Sequence, residues 1–196
     1  MKKLFAPLFL ALTLVLCACV HHTATPPILN APAVSNRTTD SAGIKSVNVH
    51  IVAQHADGSI FSDQSTHNLR TTGGADWQAN AMGTTATQPA AANYVAVSNN
   101  ATAPAAGDCA AGSTSCTLSG EITTNGCARA QATYSHTNGT NTFTFTHTFT
   151  ATGAQSVQEA GLFNASSSGT MVFEDDFSQV TLANTDTLTI TWTVSI

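Results

Sequence analysis

Two stretches of the chain alternate between apolar and polar side chains, with His147 as the one polar side chain on an apolar face. One is TFTFTHTFT at residues 142–150, and the other is TLTITWTVSI at residues 187–196. Successive side chains of a β-strand point to opposite faces of a sheet, so each stretch predicts a strand with one buried face. The opposite face of each strand carries only threonine and serine. We therefore expect a buried apolar sheet face and a hydroxyl-bearing face on the other side.

Shorter strand patterns, separated by turn signals, recur through the rest of the chain. They lie at residues 47–51, 60–61, 94–98, 128–134, 157–163 and 170–177. Many short strands at regular spacing, with turns rich in Gly and Asn, are typical of an all-β fold. The sequence predicts an antiparallel β-sandwich, Ig-like or jelly-roll-like. One short helix is predicted at 76–83, after a strand break at Gly73 and Gly74.

The N-terminus has the layout of an export signal. Two lysines precede an apolar run, and small residues follow it. The segment LCAC, which ends at Cys19, looks like a bacterial lipobox, and it predicts lipid attachment at Cys19 after removal of residues 1–18. Val20 follows in place of aspartate, which indicates the outer membrane if the organism has one. Ordinary cleavage and release of a secreted protein is the alternative.

Two further segments follow the predicted signal peptide. Residues 19–43 are rich in Pro, Ala, Thr and Asn and show no sustained periodicity, which is typical of a flexible tether. Residues 44–196 are expected to form a single β-sandwich domain, since a chain of this length buries about two thirds of its surface on folding.

The charge of the chain limits the classes of partner and activity. Charged residues make up 9% of the sequence, and the net charge is −5. A chain with so few Lys and Arg has no basic patch for a phosphate backbone, so nucleic acid is not an expected partner. No nucleophile-elbow motif surrounds any serine, and neither an enzyme activity nor a cofactor is expected.

Several segments resemble a family of small structural proteins of tailed bacteriophages, described as tail-fibre-like or virion-associated. They are HNLRTTGG, YVAVSNNATAPAAGD, LSGEITTNGCARAQATYSH and, most specifically, EAGLFNASSSGTMVFEDDF. The likeness covers residues 46–196. It implies a compact β-sandwich that serves as an assembly or decoration element, with no catalytic residues to carry over. The export signal departs from this family, which has no need of one.

The cysteines of the predicted domain also depart from the family pattern. The stretch CAAGSTSC looks inserted, and in an exported protein Cys109 and Cys116 are expected to form a disulfide. Cys127 is expected to be a buried free thiol, with pairing to either of the other two left open. A zinc site built from these cysteines and a histidine is the alternative, although their spacing lacks the close pairs of structural zinc sites.

A few polar side chains stand out in this sparsely charged chain. Arg129 is expected to form a structural ion pair with Glu159 or Glu121, with three solvated side chains as the alternative. The acidic run EDD at 174–176 is expected to be a solvated strand end rather than a set of calcium ligands. His147 is expected to bond a backbone carbonyl at the end of the phenylalanine face.

Together these features predict a non-enzymatic, lipid-anchored structural or interaction protein of the cell surface. Its expected contacts are the membrane, through the N-terminal lipid, and a protein or glycan partner, with self-association left open. One alternative is a phage- or prophage-encoded lipoprotein that acts in superinfection exclusion. Another is a subunit of a virion or filament.

Overall fold

In the computed structural model, residues 43–84 and 87–196 are described and form a two-sheet β-sandwich with one α-helix. The predicted all-β sandwich is confirmed. The predicted signal peptide, the lipid-attachment residue Cys19 and nearly all of the predicted tether lie outside the described residues.

The described residues contain ten strands in two sheets of five. In chain order these are β1 (Ser46–Gln54), β2 (Ile60–His67), β3 (Leu69–Arg70), β4 (Tyr94–Ser98), β5 (Ala130–Gln131), β6 (Thr133–His136), β7 (Thr142–Thr150), β8 (Gln155–Phe163), β9 (Met171–Leu182) and β10 (Thr187–Ser195). The first sheet has the order β2-β1-β10-β7-β6, and the second has the order β3-β9-β8-β4-β5. All the paired strands of these two sheets are antiparallel.

The main core lies between the two sheets. β10 is the central strand of the first sheet, between β1 and β7, and its apolar side chains face the second sheet. Trp192 is fully buried and stacks on Phe173 of β9, with their ring centroids 6.2 Å apart. Trp192 lies in register beside Phe145 of β7. The two alternating strands are therefore side-by-side neighbours that share one apolar face, as their matched periodicity requires.

The stretch predicted as one strand at 128–134 is divided between the two sheets. β5 pairs with β4 in the second sheet, whereas β6 pairs with β7 in the first. The chain passes from one sheet to the other at Ala132, which is buried in the main core. A small apolar residue at the crossing lets the edge strands close one side of the sandwich.

The helix α1 (Thr72–Gly83) starts earlier than predicted and includes both glycines that were expected to precede it. The Thr71 hydroxyl caps the helix by accepting a hydrogen bond from the Gly74 amide at 2.9 Å. A Cβ atom on Gly74 would lie 2.2 Å from the Val172 carbonyl oxygen, and one on Gly73 would lie 2.6 Å from the Cys109 sulfur. These glycines therefore serve close packing of the helix start against the second sheet and against the disulfide.

A long segment without strands lies on the outer face of the second sheet. We call residues 99–129 the cover segment; in it, residues 106–108 form one turn of 3₁₀-helix. Leu118 packs on Phe163 and Met171 in a second apolar cluster, separate from the main core. Cys109 and Cys116 belong to the same cluster. Farther along, Ile122 and Cys127 enter the main core. The second sheet is thus packed on both faces, and the domain has three layers.

Candidate functional site

The outer face of the first sheet carries a two-strand array of hydroxyls. Every outward residue of β7 is threonine, and every outward residue of β10 is threonine or serine, aligned in register from the pair Thr150–Thr187 to the pair Thr142–Ser195. The hydroxyl oxygens of Thr148 and Thr189 are 2.8 Å apart, and a second such pair of threonine hydroxyls is 3.1 Å apart. These two strands contain no Lys, Arg, Asp or Glu. We call this surface the hydroxyl face.

His147 lies on the opposite side of β7, among the phenylalanines. Its Nδ1 atom is 3.1 Å from the Gln131 carbonyl oxygen, and its ring packs edge-on against Phe149. Burial lowers the pKa of His147, and the bond to Gln131 acts in the opposite direction. The predicted contact with a backbone carbonyl is confirmed.

The cysteines predicted to pair are joined within the cover segment. Cys109 and Cys116 form a disulfide with their Cα atoms 5.4 Å apart. The Cys109 carbonyl accepts a hydrogen bond of 2.7 Å from the Gly73 amide, which ties this disulfide loop to the start of α1. Among the described residues Cys127 is a free cysteine; it is fully buried, and burial raises the pKa of its thiol.

Of the two acids considered for Arg129, the structure brings Glu121 to it. The guanidinium donates from Nε to Glu121 Oε1 at 2.9 Å and from Nη2 to Glu121 Oε2 at 2.6 Å. Nη1 donates to the carbonyl oxygens of Ala165 and Ser168, and the guanidinium lies 3.6 Å from the ring centroid of Phe163. The Arg129 side chain is only 4% exposed. This ion pair fixes the end of the cover segment to the turn between β8 and β9.

Glu159 is not a partner of Arg129; it faces Glu174 on the outer side of the second sheet. In the β8–β9 register Glu159 lies opposite Asp176 and Glu174 lies opposite Gly161, so the two glutamates are diagonal neighbours on one face. Their carboxyl groups are within hydrogen-bond reach of each other. Both side chains are at most 2% exposed.

The acidic run at 174–176 was expected to be solvated, and this expectation is wrong. The run lies inside β9, and both Glu174 and Asp175 are buried. Only Asp176 is exposed. For Glu174 the physical reason is the cover segment, which lies where the alternation alone would place water, whereas Asp175 is buried on the opposite face of β9.

Asp175 points toward the first sheet and links β9 to β2. Its Oδ2 atom accepts a hydrogen bond from the Thr66 hydroxyl. Burial raises the pKa of Asp175 to about 6, and the bond from Thr66 acts against this rise. Nearby, the side chain of Gln64 both donates to and accepts from the backbone of Ser178, each at 2.9 Å. These contacts close the open side of the sandwich.

A polar cleft opens above the two buried glutamates. It has a volume of about 350 Å³ and is lined by Asn100, Thr102, Ala103, Asp108, Thr117, Ser119 and Glu174. Asp108, at the end of the 3₁₀ turn, is within hydrogen-bond reach of Glu174. In the described part of the chain, no group of three Asp, Glu, His or Cys side chains is arranged to hold a metal ion.

Burial raises the pKa values of both glutamates. For Glu174 the burial is reinforced by the hydrogen bond with Glu159, by the charges of Glu159 and Asp108 and by the bond with Asp108, which together raise its pKa to about 9. For Glu159 burial again raises the pKa, while hydrogen bonds from Glu174, Ser98 and Asn100 oppose the rise. Glu174 is therefore protonated at neutral pH.

Comparison with protein-family models, with curated proteins and with solved structures finds no match to this chain. The resemblance to phage tail-fibre-like proteins therefore stays a prediction. Among the described residues, no helix is long and apolar enough to span a membrane.

Proposed function

We propose that this chain is a non-enzymatic, lipid-anchored protein of the cell surface, and that its β-sandwich works through contact with a protein or glycan partner. The observation that carries this proposal is the hydroxyl face on β7 and β10.

The chemistry of the hydroxyl face suits a neutral polar partner. Each threonine hydroxyl is both a donor and an acceptor, so the array fits backbone amides or sugar hydroxyls equally well. Strand geometry spaces the two strands that carry these hydroxyls about 4.8 Å apart and repeats an outward residue about every 6.8 Å along each strand. The absence of charge on the two strands removes long-range steering, so contact depends on proximity at a surface.

The proposed anchor supplies that proximity. The lipobox-like LCAC ends at Cys19, ahead of the predicted tether. Several acyl chains on one cysteine hold a protein on a membrane far more firmly than a single chain does. A domain held in this way meets envelope partners at high effective concentration, which favours weak contacts through many hydroxyls.

The non-enzymatic part of the proposal is supported by the state of the acid pair. Glu159 and Glu174 are neighbouring buried carboxyl groups of the described chain, and the Oε2 atom of each is buried. A general acid must reach its substrate directly or through one water molecule. Closure by the cover segment keeps these oxygens from a substrate.

The anchor is tested by mass spectrometry of the mature N-terminus from fractionated cells. We expect a lipid-modified Cys19 in the outer-membrane fraction. An unmodified N-terminus in the medium would refute the anchor.

Contact through the hydroxyl face is tested by binding of the purified chain to intact cells of the producing strain. The double variant Thr148→Lys, Thr189→Lys places two charges on the face, and we expect it to lose binding. Thr181→Lys is the matched control, since Thr181 is an exposed strand threonine of β9. Pretreating the cells with periodate or with protease identifies the partner as glycan or protein. Equal binding by both variants would show that another surface makes the contact.

A further inference from the structure

The carboxyl groups of Glu159 and Glu174 meet without a positive charge to balance them. One oxygen of each, Oε2, is buried and has no hydrogen-bond donor among the described residues. Two ionised carboxylates in such a place repel each other, and their removal from water raises the energy further. No Lys, Arg or His in the described chain is among the groups that shift either carboxyl. Because no cationic side chain of the described residues neutralises the two carboxyl groups, their negative charge must be reduced by a bound proton.

The contact itself points to a bridging proton. Glu174 is within hydrogen-bond reach of Glu159 on the neighbouring strand and of Asp108 in the cover segment. An ionised carboxylate only accepts hydrogen bonds, so a bond between two carboxyl groups requires that one of them carries a proton. Glu174 is the donor in this arrangement. Glu159, with Ser98 and Asn100 within reach, is the stabilised acceptor.

We propose that Glu174, Glu159 and Asp108 form a proton-bridged clasp that holds residues 99–108 of the cover segment on the second sheet, and that loss of the proton opens the cleft above the two glutamates. Two of the three carboxyl groups belong to the sheet and the third belongs to the cover segment. Loss of the proton leaves three adjacent carboxylates, and their repulsion acts across the boundary between the two layers.

The rest of the cover segment is fixed independently of the clasp. Beyond Asp108, the disulfide begins at Cys109, and Cys109 is bonded to the start of α1. Arg129 and Glu121 hold the far end. Opening is therefore confined to residues 99–108, which line one side of the cleft and join no strand. It must also break two hydrogen bonds, from the Thr72 hydroxyl to the Ala106 carbonyl at 2.8 Å and from the Gln158 side chain to the Asn99 carbonyl at 2.6 Å.

Other charged groups on the packed elements leave the clasp intact. Asp176 on β9 is exposed to solvent, and Asp175 lies on the opposite face of the same strand. Glu121 in the cover segment is paired with Arg129. β4 contributes only the uncharged Ser98 to this face. Glu159 and Glu174 therefore titrate as one unit, and the exposed residue Asp108 contributes its negative charge beside Glu174.

The direction of the pH effect follows from the raised pKa of Glu174, about 9 against an ordinary value of 4.5. The closed state binds more protons than the open state between these two values. Its stability is complete below the ordinary pKa and is lost as the pH rises through about 9. Opening releases one proton, so the equilibrium constant for opening increases about tenfold per pH unit between these two pKa values.

Hydrogen exchange of the full chain, followed by NMR, tests the clasp. Two amides link the segment that opens to its surroundings: the Asn100 amide donates to the Ser98 hydroxyl of β4, and the Asn99 amide donates to the Gly120 carbonyl. After correction for intrinsic exchange, we expect the protection of these two amides to fall about tenfold per pH unit between about pH 6 and pH 8.5. The β10 amides report global unfolding, and we expect them to stay protected over the same range.

Glu174→Gln is the decisive variant because its amide still donates to Glu159 but does not titrate. We expect it to remove the pH dependence of protection at residues 99–108. Asp63→Asn, an exposed strand acid of the first sheet, is the control and should leave that dependence unchanged. If Glu174→Gln does not fold, a carboxyl-carbon NMR titration of the unaltered chain decides, since the clasp requires one glutamate that ionises well above pH 7.

Two results would overturn the clasp. One is that no glutamate carboxyl of the folded chain titrates between about pH 6 and pH 10. The other is that calcium chloride, added at pH 8, stabilises the unaltered chain but not Glu174→Gln. The second result would show that a cation rather than a proton bridges the carboxyl groups.

Discussion

The outer faces of the two sheets differ in their exposure to solvent. The outer face of the first sheet carries in-register threonines, such as Thr148 and Thr189, that are partly open to solvent. The outer face of the second sheet carries Ser98, Glu159 and Glu174, which are at most 2% exposed beneath the cover segment. Both faces are polar in sequence, but only one of them is a surface.

This difference changes what each polar side chain contributes. A hydroxyl on the first sheet can exchange its protein partner for water at little cost. A polar group on the second sheet has lost water, so it needs a hydrogen-bond partner, a counter-charge or a proton. Side chains beneath the cover segment should therefore be sensitive to substitution, whereas those on the hydroxyl face should tolerate it.

The largest expected effect is at the ion pair that closes the covered side. Arg129→Met should destabilise the domain by about 3 kcal/mol, because it leaves Glu121 and two carbonyl oxygens without their donor. Chemical denaturation of the purified variant measures this loss. The matched control is His50→Gln in the first sheet, where His50 Nε2 lies 2.8 Å from an Asp63 carboxylate oxygen and both side chains are about half exposed.

We expect His50→Gln to change the free energy of unfolding by less than about 1 kcal/mol, as is usual for exposed pairs. Equal losses in Arg129→Met and His50→Gln would contradict the distinction between the covered and open sides. Arg129→Lys should fall between them, since it keeps the charge but loses the two-pronged contact with Glu121.

The next effect concerns the disulfide of the cover segment. Cys109→Ser combined with Cys116→Ser should cost about 2.5 kcal/mol, the chain-entropy value for an eight-residue loop. The loss should appear as faster hydrogen exchange in residues 99–118, with β7 and β10 still protected. Loss of protection in all strands at once would show that the cover segment is part of the global folding unit.

Strand alternation was sufficient to predict the sandwich and the hydroxyl face from the sequence. In TFTFTHTFT, side chains that are two residues apart share one face of the strand, and the apolar face must be buried. The same period contains no information on what lies above Glu174, which was expected at a solvated strand end. That depends on contacts between β9 and the cover segment at residues 99–129, far from β9 in the chain.

The residues of the clasp were therefore missed, although one signal was present. The run MVFEDDF places acids between apolar residues within a strand rather than at its end. A stretch as long as 99–129 without strands also indicates a loop with a structural or functional task. Arg129 was predicted to pair with Glu121 or Glu159, and the choice between them depended on the diagonal contact of Glu159 with Glu174.

The smallest expected effect is on the hydroxyl face itself. Thr148→Val combined with Thr189→Val removes one hydroxyl pair and keeps the branched side chains that suit a strand. Water already satisfies these exposed groups, so the free energy of unfolding should change by less than about 0.5 kcal/mol. Ser98→Ala is the comparison beneath the cover segment, where the hydroxyl donates to the Ser119 carbonyl and accepts from the Asn100 amide. It should cost about 1–2 kcal/mol because two part-buried backbone groups lose their partner. A larger loss in the threonine variant than in Ser98→Ala would mean that the hydroxyl face stabilises the sheet rather than serving as a surface for contact.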